Sequence, residues 1–170
     1  MRLIALRRPL PLLAASLAAA SAQVSADPAV THLSASQSTY LERCGGCHGI
    51  QGISNPIVVP TLRGQVGQFL CTQVGREYLV RLPSIATSPL SDQEVADLMN
   101  FVVFSLGRAQ PDGARAPLFG SREVHELRRR PLNEVALVKY RSVLVEELIH
   151  RCGASTALRD YSSGALPAPR

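Results

Sequence analysis

The segment Cys44-Gly45-Gly46-Cys47-His48 constrains this chain more than any other feature of its sequence. Two cysteines three positions apart, with a histidine directly after the second, form the C-x-x-C-H pattern of covalent haem attachment. Each thiol can add to one vinyl group of the porphyrin, and the histidine then lies under the ring, where its imidazole reaches the iron. The motif predicts one haem c, with thioether bonds to Cys44 and Cys47 and with His48 as the proximal iron ligand.

Two other uses of a C-x-x-C pair fit the sequence less well. A redox-active disulfide of the thioredoxin kind needs a strand–helix frame, which the surrounding pattern lacks. Half of a zinc site needs a second pair of Cys or His nearby, whereas Cys71 and Cys152 stand alone and the other histidines are scattered. Haem attachment is the better supported interpretation.

The N-terminus has the layout of a bacterial secretory signal. Three arginines precede the apolar run Leu10–Ala20, and small residues then offer cleavage after Ala22 or after Ala26. The alternative is a membrane anchor, for which the apolar run is too short. We expect residues 1–26 to be a cleaved signal peptide and the mature protein to be periplasmic. Cleavage lowers the formal net charge from +5 to +2, so we expect no nucleic-acid partner.

The rest of the chain predicts an all-α fold in four parts. Residues 27–37 indicate a flexible leader, residues 38–108 a haem domain, residues 109–152 an extension with an amphipathic helix, and residues 153–170 a disordered tail. Aromatic residues are few, with four Phe, four Tyr and no Trp. This deficit favours a core that a cofactor fills.

One helix is predicted with particular clarity. Ser91 and Glu94 form a capping box for a helix over Asp92–Leu106, whose apolar residues recur at three- and four-residue steps. Gly107 is expected to end it. Before this helix, the turn residues of Gly45–Gly64 predict a loop.

Two further helical regions are expected on either side. The segment Gln65–Leu82 favours one or two short helices that break near Gly75. The segment Asn133–Arg151 favours an amphipathic helix, which Asn133 or the preceding turn caps and Gly153 ends.

From Ser38 to Leu106 the chain resembles the small soluble class I cytochromes c of bacterial periplasms. The matching elements, in chain order, are Tyr40 before the motif, Cys44–Gly49, the proline-leucine-glycine loop Pro60–Gln65, the helix start Pro89–Leu98, and Phe101. The resemblance implies a cytochrome c-like helical fold around one covalent haem, to which this chain adds a C-terminal helix. It also implies that the Pro60 carbonyl accepts a hydrogen bond from His48 and that Phe101 packs across the N-terminal helix.

The sequence departs from this family at the sixth iron ligand. The family supplies a methionine from the loop before the C-terminal helix, but the corresponding segment Arg81–Pro89 contains none. Met99 is the one methionine beyond the signal peptide and is therefore a candidate sixth ligand, the alternative being a core residue of its helix. The other candidates are His32, His125, His150, a Cys71 thiolate and an open site. Cys71 could equally form a disulfide with Cys152.

The function expected from these features is that of a monohaem electron carrier and not of an enzyme. Its partner would be a periplasmic dehydrogenase, oxidase or reductase, and loss of methionine ligation predicts a lower reduction potential. The Asn133–Arg151 helix either docks the protein permanently to a larger subunit or caps its own core. The alternative function is a small-ligand sensor or weak haem enzyme with an open sixth site.

Overall fold

The computed structural model describes residues 33–54, 59–107, 116–133, 135 and 137–161. These ranges leave out the predicted signal peptide, most of the predicted leader, His32, residues 108–115 and the end of the predicted tail. The described residues form helices and loops without a strand, so the predicted all-α class is confirmed. No helix among them is long and apolar enough to cross a membrane.

The first helix, α1, spans Ala35–Arg43 and so begins before residue 38, where the haem domain was predicted to start. Ser34 Oγ accepts a hydrogen bond from the Gln37 backbone N–H, and Gln37 Oε1 accepts one from the Ser34 N–H. This reciprocal capping box satisfies two amides that a helix start otherwise leaves unpaired. The prediction of a flexible leader was therefore wrong over residues 34–37, which belong to α1 and its cap.

Helix α2, Gly45–His48, follows α1 directly and lies where the sequence predicted a loop. Beyond it come a 3-10 helix, Val66–Cys71, then α3, Gln73–Arg81, and α4, Pro83–Ala86.

The prediction of one or two short helices over Gln65–Leu82 is confirmed, but the break lies at Thr72, and Gly75 lies inside α3. Thr72 Oγ1 caps the helix by accepting from the Gly75 N–H at 3.0 Å. A Cβ on Gly75 would lie 2.1 Å from the carbonyl oxygen of Phe69. The glycine is required for this close approach of two backbones, and it does not end a helix.

The predicted central helix is confirmed over its whole length, although its last part changes type. Helix α5 spans Asp92–Asn100 and continues as a π-helix over Phe101–Leu106. The Ser91 and Glu94 capping box forms as expected. The helical run ends at Gly107, where a Cβ would lie 2.7 Å from the amide nitrogen of Gly67.

The C-terminal part contains more ordered structure than the sequence predicted. Helix α6, Ser121–Arg128, was not expected, and α7 spans Leu137–Cys152 instead of Asn133–Arg151. Asn133 Oδ1 accepts from the Val135 N–H and so forms a turn before α7.

The disordered tail predicted from residue 153 was wrong over residues 153–161. Gly153 ends α7 with φ of 61°, and a 3-10 helix over Thr156–Tyr161 follows. Leu158 is fully buried, and the Ser155 N–H donates to Gln68 Oε1 at 2.6 Å. The first residues of the tail are thus part of the core.

A single buried cluster includes residues of the predicted haem domain and of the extension. Leu144, Val145 and Leu148 of α7 are buried in it beside residues of α3 and α5. The inner face of α7 therefore caps the core of its own chain.

A disulfide joins Cys71 to Cys152, at the ends of the first 3-10 helix and of α7. The two residues are 81 positions apart in sequence. Closing so long a loop reduces the entropy of the unfolded chain, which stabilises the fold by roughly 3–5 kcal/mol.

We expect the double variant Cys71→Ala, Cys152→Ala to unfold at a clearly lower urea concentration than the wild type, because it loses this loop closure. Urea unfolding with and without reductant measures the effect. Reductant should shift the wild-type midpoint and leave that of the variant unchanged. Equal midpoints for the oxidised wild type and the variant would contradict the prediction.

Candidate functional site

The two thiols of the motif lie on one helical turn. The Cys44 N–H donates to the Tyr40 carbonyl at 2.8 Å and closes α1, while the Cys44 carbonyl accepts from the N–H of His48 at 2.9 Å. Residues three apart in such a turn share a face. Cys44 is half-buried, Cys47 is exposed, and neither forms a disulfide. Both thiols are thus available for bonds to one rigid group.

His48 is oriented by the loop that faces it. Its Nδ1 lies 2.8 Å from the carbonyl oxygen of Pro60, which can only accept a hydrogen bond. Nδ1 must therefore carry the proton, which leaves the Nε2 lone pair as the donor to a metal. This is the pairing that the family resemblance implied.

Tyr40 fixes the chain just after His48. Its hydroxyl donates to the Gly49 carbonyl at 2.7 Å. Gly49 adopts φ of 77°, and a Cβ there would lie 2.1 Å from the carbonyl oxygen of Ile53. Only glycine fits this turn. The family resemblance predicted the aromatic ring of Tyr40 but not the role of its hydroxyl, whose hydrogen-bond partner lies nine residues away.

Hydrogen bonds on both sides of Pro60 hold the loop that carries it. Ser54 Oγ donates to the Val59 carbonyl at 2.7 Å, one residue before Pro60. The Gly64 N–H donates to the Leu106 carbonyl at 3.0 Å, which ties the loop to the end of the π-helix. The Pro60 carbonyl therefore faces His48 from a supported position.

An aromatic contact joins the motif helix to the central helix. The rings of Tyr40 and Phe101 are tilted, with centroids 5.6 Å apart. This is the crossing that the resemblance implied, and it locks α1 against the start of the π-helix.

Burial keeps two groups at the motif protonated, the thiol of Cys44 and the phenol of Tyr40. It raises the pKa of the Cys44 thiol, and neighbouring Cys47 raises it further. Burial also raises the pKa of Tyr40, so its phenol keeps the proton that it donates. At neutral pH, Cys44 is therefore a neutral thiol.

Apolar side chains stand open to solvent close to His48. Ile50 and Ile53 are 75% and 56% exposed, although both belong to the turn that Gly49 begins. Exposed large apolar residues beside two thiols and an oriented imidazole fit a flat apolar group that covers them. The residues present therefore fit a covalently bound haem.

Three of the other candidate sixth ligands make contacts of their own. Met99 is 4% exposed and lies in the buried core, and it stays a candidate. Cys71 cannot be a thiolate ligand, because it forms the disulfide with Cys152. His125 Nδ1 lies 2.9 Å from Asp92 Oδ2, and exposed His150 lies 4.0 Å from Glu146. Within the described ranges no group of three or more His, Cys, Asp or Glu residues could hold a metal ion.

The structure places Cys44, Cys47 and His48 on one helical turn of an all-helical fold, and a comparison with curated proteins shows distant homology to cytochromes c. One relative is cytochrome c-552 from Thermus thermophilus, 28% identical over 120 aligned residues that cover 60% of this chain and 91% of the relative. A second cytochrome c-552, from another Thermus thermophilus source, is also 28% identical over 120 residues, with 80% of its length covered. The resemblance stated from the sequence is thereby confirmed. No family model and no solved structure matches the chain.

Proposed function

We propose that this chain is an exported monohaem c-type cytochrome that carries single electrons to or from a periplasmic redox enzyme. The observation that carries the proposal is the hydrogen bond from His48 to Pro60 beside two free thiols on one turn. Homology to cytochrome c-552 supports the same role.

Each residue of the site would contribute differently to holding the haem. Cys44 and Cys47 would each add their S–H across a vinyl group, which forms two thioethers without an oxidant. His48 would bind iron through Nε2, while the Pro60 carbonyl holds its ring and increases its basicity. The haem, when bound, supplies a one-electron couple at its iron. Two thioethers and an oriented imidazole would hold the group in one position, which favours fast electron transfer.

Two features support a periplasmic location. The N-terminal segment has the pattern of a secretory signal. Cys71 and Cys152 form a disulfide, which persists in oxidising compartments and is rare elsewhere. The partner we propose is a dehydrogenase, oxidase or reductase in the same compartment.

One observation favours a second candidate function. The segment between α3 and α5 contains α4 and no methionine, and Met99 is buried in the core. If no side chain reaches the sixth position, the iron could bind a small molecule, and the protein would act as a sensor or weak haem enzyme.

Carbon monoxide distinguishes the two functions. If a protein side chain fills the sixth position of the iron, carbon monoxide should cause no fast change in the visible absorbance spectrum of the reduced protein. Stoichiometric binding within the mixing time would contradict the carrier and favour the sensor. The variant Met99→Leu tests the ligand: it should become reactive to carbon monoxide if Met99 binds iron, and should match the wild type if Met99 is only a core residue.

A further inference from the structure

An apolar groove lies between α3 and α7, and none of its lining residues belongs to the haem site. The groove has a volume of about 380 Å³ and is lined by Val74 of α3 and by Lys139, Tyr140, Val143, Leu144 and Glu147 of α7. Val143 is 64% exposed, and Val74 is also exposed. Apolar side chains clustered in this way are typical of a surface that another molecule covers.

The wall of the groove is rigid. The Tyr140 ring stacks on Tyr78 at 6.0 Å between centroids and 14° between planes, and Tyr78 stacks in turn on Phe69 at 5.3 Å. Both inner rings are buried. Tyr140 is therefore held in place before any partner binds, which lowers the entropic cost of binding.

The charges around the groove point to one kind of occupant. One face of α7 carries Lys139, Val143 and Glu147, which are spaced four residues apart. The apolar Val143 lies midway between the two opposite charges. A partner helix that fits must present an acid opposite Lys139 and a base opposite Glu147. A second copy of α7, packed antiparallel with its Val143 opposite this Val143, places Glu147 opposite Lys139 and Lys139 opposite Glu147.

We propose that this face is a homodimer interface, in which α7 of two copies packs antiparallel about a two-fold axis at Val143. Under this symmetry a residue four positions before Val143 meets one four positions after it, so each Lys139 meets Glu147 of the second copy. Glu147 already pairs with exposed Arg151 at 2.8 Å, and a charge so placed can be shared between two cations. The two Val143 side chains meet at the axis. The interface is independent of the proposed electron transfer.

Sedimentation equilibrium of the mature protein tests the proposal. The wild type should show a monomer–dimer equilibrium. Lys139→Glu places like charges opposite each other twice per dimer and should weaken dimerisation by about tenfold or more. The charge-swapped variant Lys139→Glu, Glu147→Lys restores both pairs and should recover the wild-type constant to within about threefold.

Two controls separate this interface from other effects. Arg122→Glu changes the net charge as Lys139→Glu does, but at an exposed position on α6, and should leave the dimer unchanged. Far-ultraviolet circular dichroism verifies that each variant is folded. A monomeric wild type at millimolar concentration, a dimer that Lys139→Glu leaves intact, or a swapped variant that fails to recover would overturn the proposal. A monomer in which Val143→Glu impairs only electron exchange with a redox enzyme would assign the groove to that enzyme.

Discussion

The double variant Cys44→Ala, Cys47→Ala is expected to lose covalent haem completely. Both thioethers require the sulfur atoms of these residues, and the disulfide of Cys71 and Cys152 leaves no other free thiol among the described residues. A host that exports and matures c-type cytochromes should produce a protein without haem-dependent peroxidase staining on a denaturing gel. Each single variant retains one thioether and should stain at reduced yield.

Gly46→Ala is the matched control within the motif. A Cβ at Gly46 has no heavy atom within 4 Å, and the residue lies in a helix at an exposed position. This variant should keep wild-type staining. Covalent haem in the double variant would contradict the assignment of the two cysteines. Loss of haem in Gly46→Ala would show that the loss in the double variant is not specific to the thiols.

The second large effect is expected at Arg76, which joins the haem domain to the extension. Its guanidinium donates to both carboxylate oxygens of Glu123, at 2.6 and 2.8 Å, and to the carbonyls of Pro117 and Leu118. It also lies 3.8 Å from the centroid of the Phe119 ring. Arg76 is buried, so this network is largely removed from water.

Arg76→Met should lower the free energy of unfolding by about 3 kcal/mol, because it leaves the Glu123 carboxylate without its cation. This loss of stability is at the low end of the range for a broken buried ion pair, because the Glu123 side chain is 30% exposed and water can reach it. Urea unfolding measures the loss. Arg122→Met, at an exposed site, should change the free energy by less than about 0.5 kcal/mol.

A second substitution separates the loss of charge pairing from the loss of packing. In the variant Arg76→Met, Glu123→Leu no uncompensated carboxylate remains, so it should be more stable than Arg76→Met alone. The double variant could instead lose as much free energy of unfolding as Arg76→Met and Glu123→Leu lose together. In that case the stability depends mainly on the packing of Arg76 on Phe119 and on its hydrogen bonds to the carbonyls.

The parts of the site that could be predicted are those that depend on short sequence distances. The motif from Cys44 to His48 needs only five residues, although its helical form was not predicted, and the Ser91 and Glu94 capping box needs four. The Pro60 contact, twelve residues from His48, came from the family resemblance and not from any local rule.

The wrong predictions have long-range causes. Gly75 suggested a break, but the reason for a glycine there is the Phe69 carbonyl, which packs against it in the folded chain. The small and polar residues of the tail predicted disorder, yet Leu158 is buried and Ser155 bonds to Gln68, 87 positions away. Neither contact leaves a periodic signal in the sequence.

Helix α6 was missed because its apolar face is narrow. Val124 and Leu127 are its buried apolar residues, and charged side chains surround them. Its position depends on ion pairs with distant partners, from Glu123 to Arg76 and from Arg128 to Asp92. Such pairs can be recognised only when the fold brings the residues together.

The most direct test of the central claim is the intact mass of the mature protein exported from a host that attaches haem. Addition of two S–H groups across two vinyl groups loses no atoms, so we predict the mass of the processed chain, with its Cys71–Cys152 disulfide, plus that of one whole haem. The added mass should survive denaturation and acid extraction. An unmodified chain, with Cys44 and Cys47 either free or joined to each other, would contradict the account.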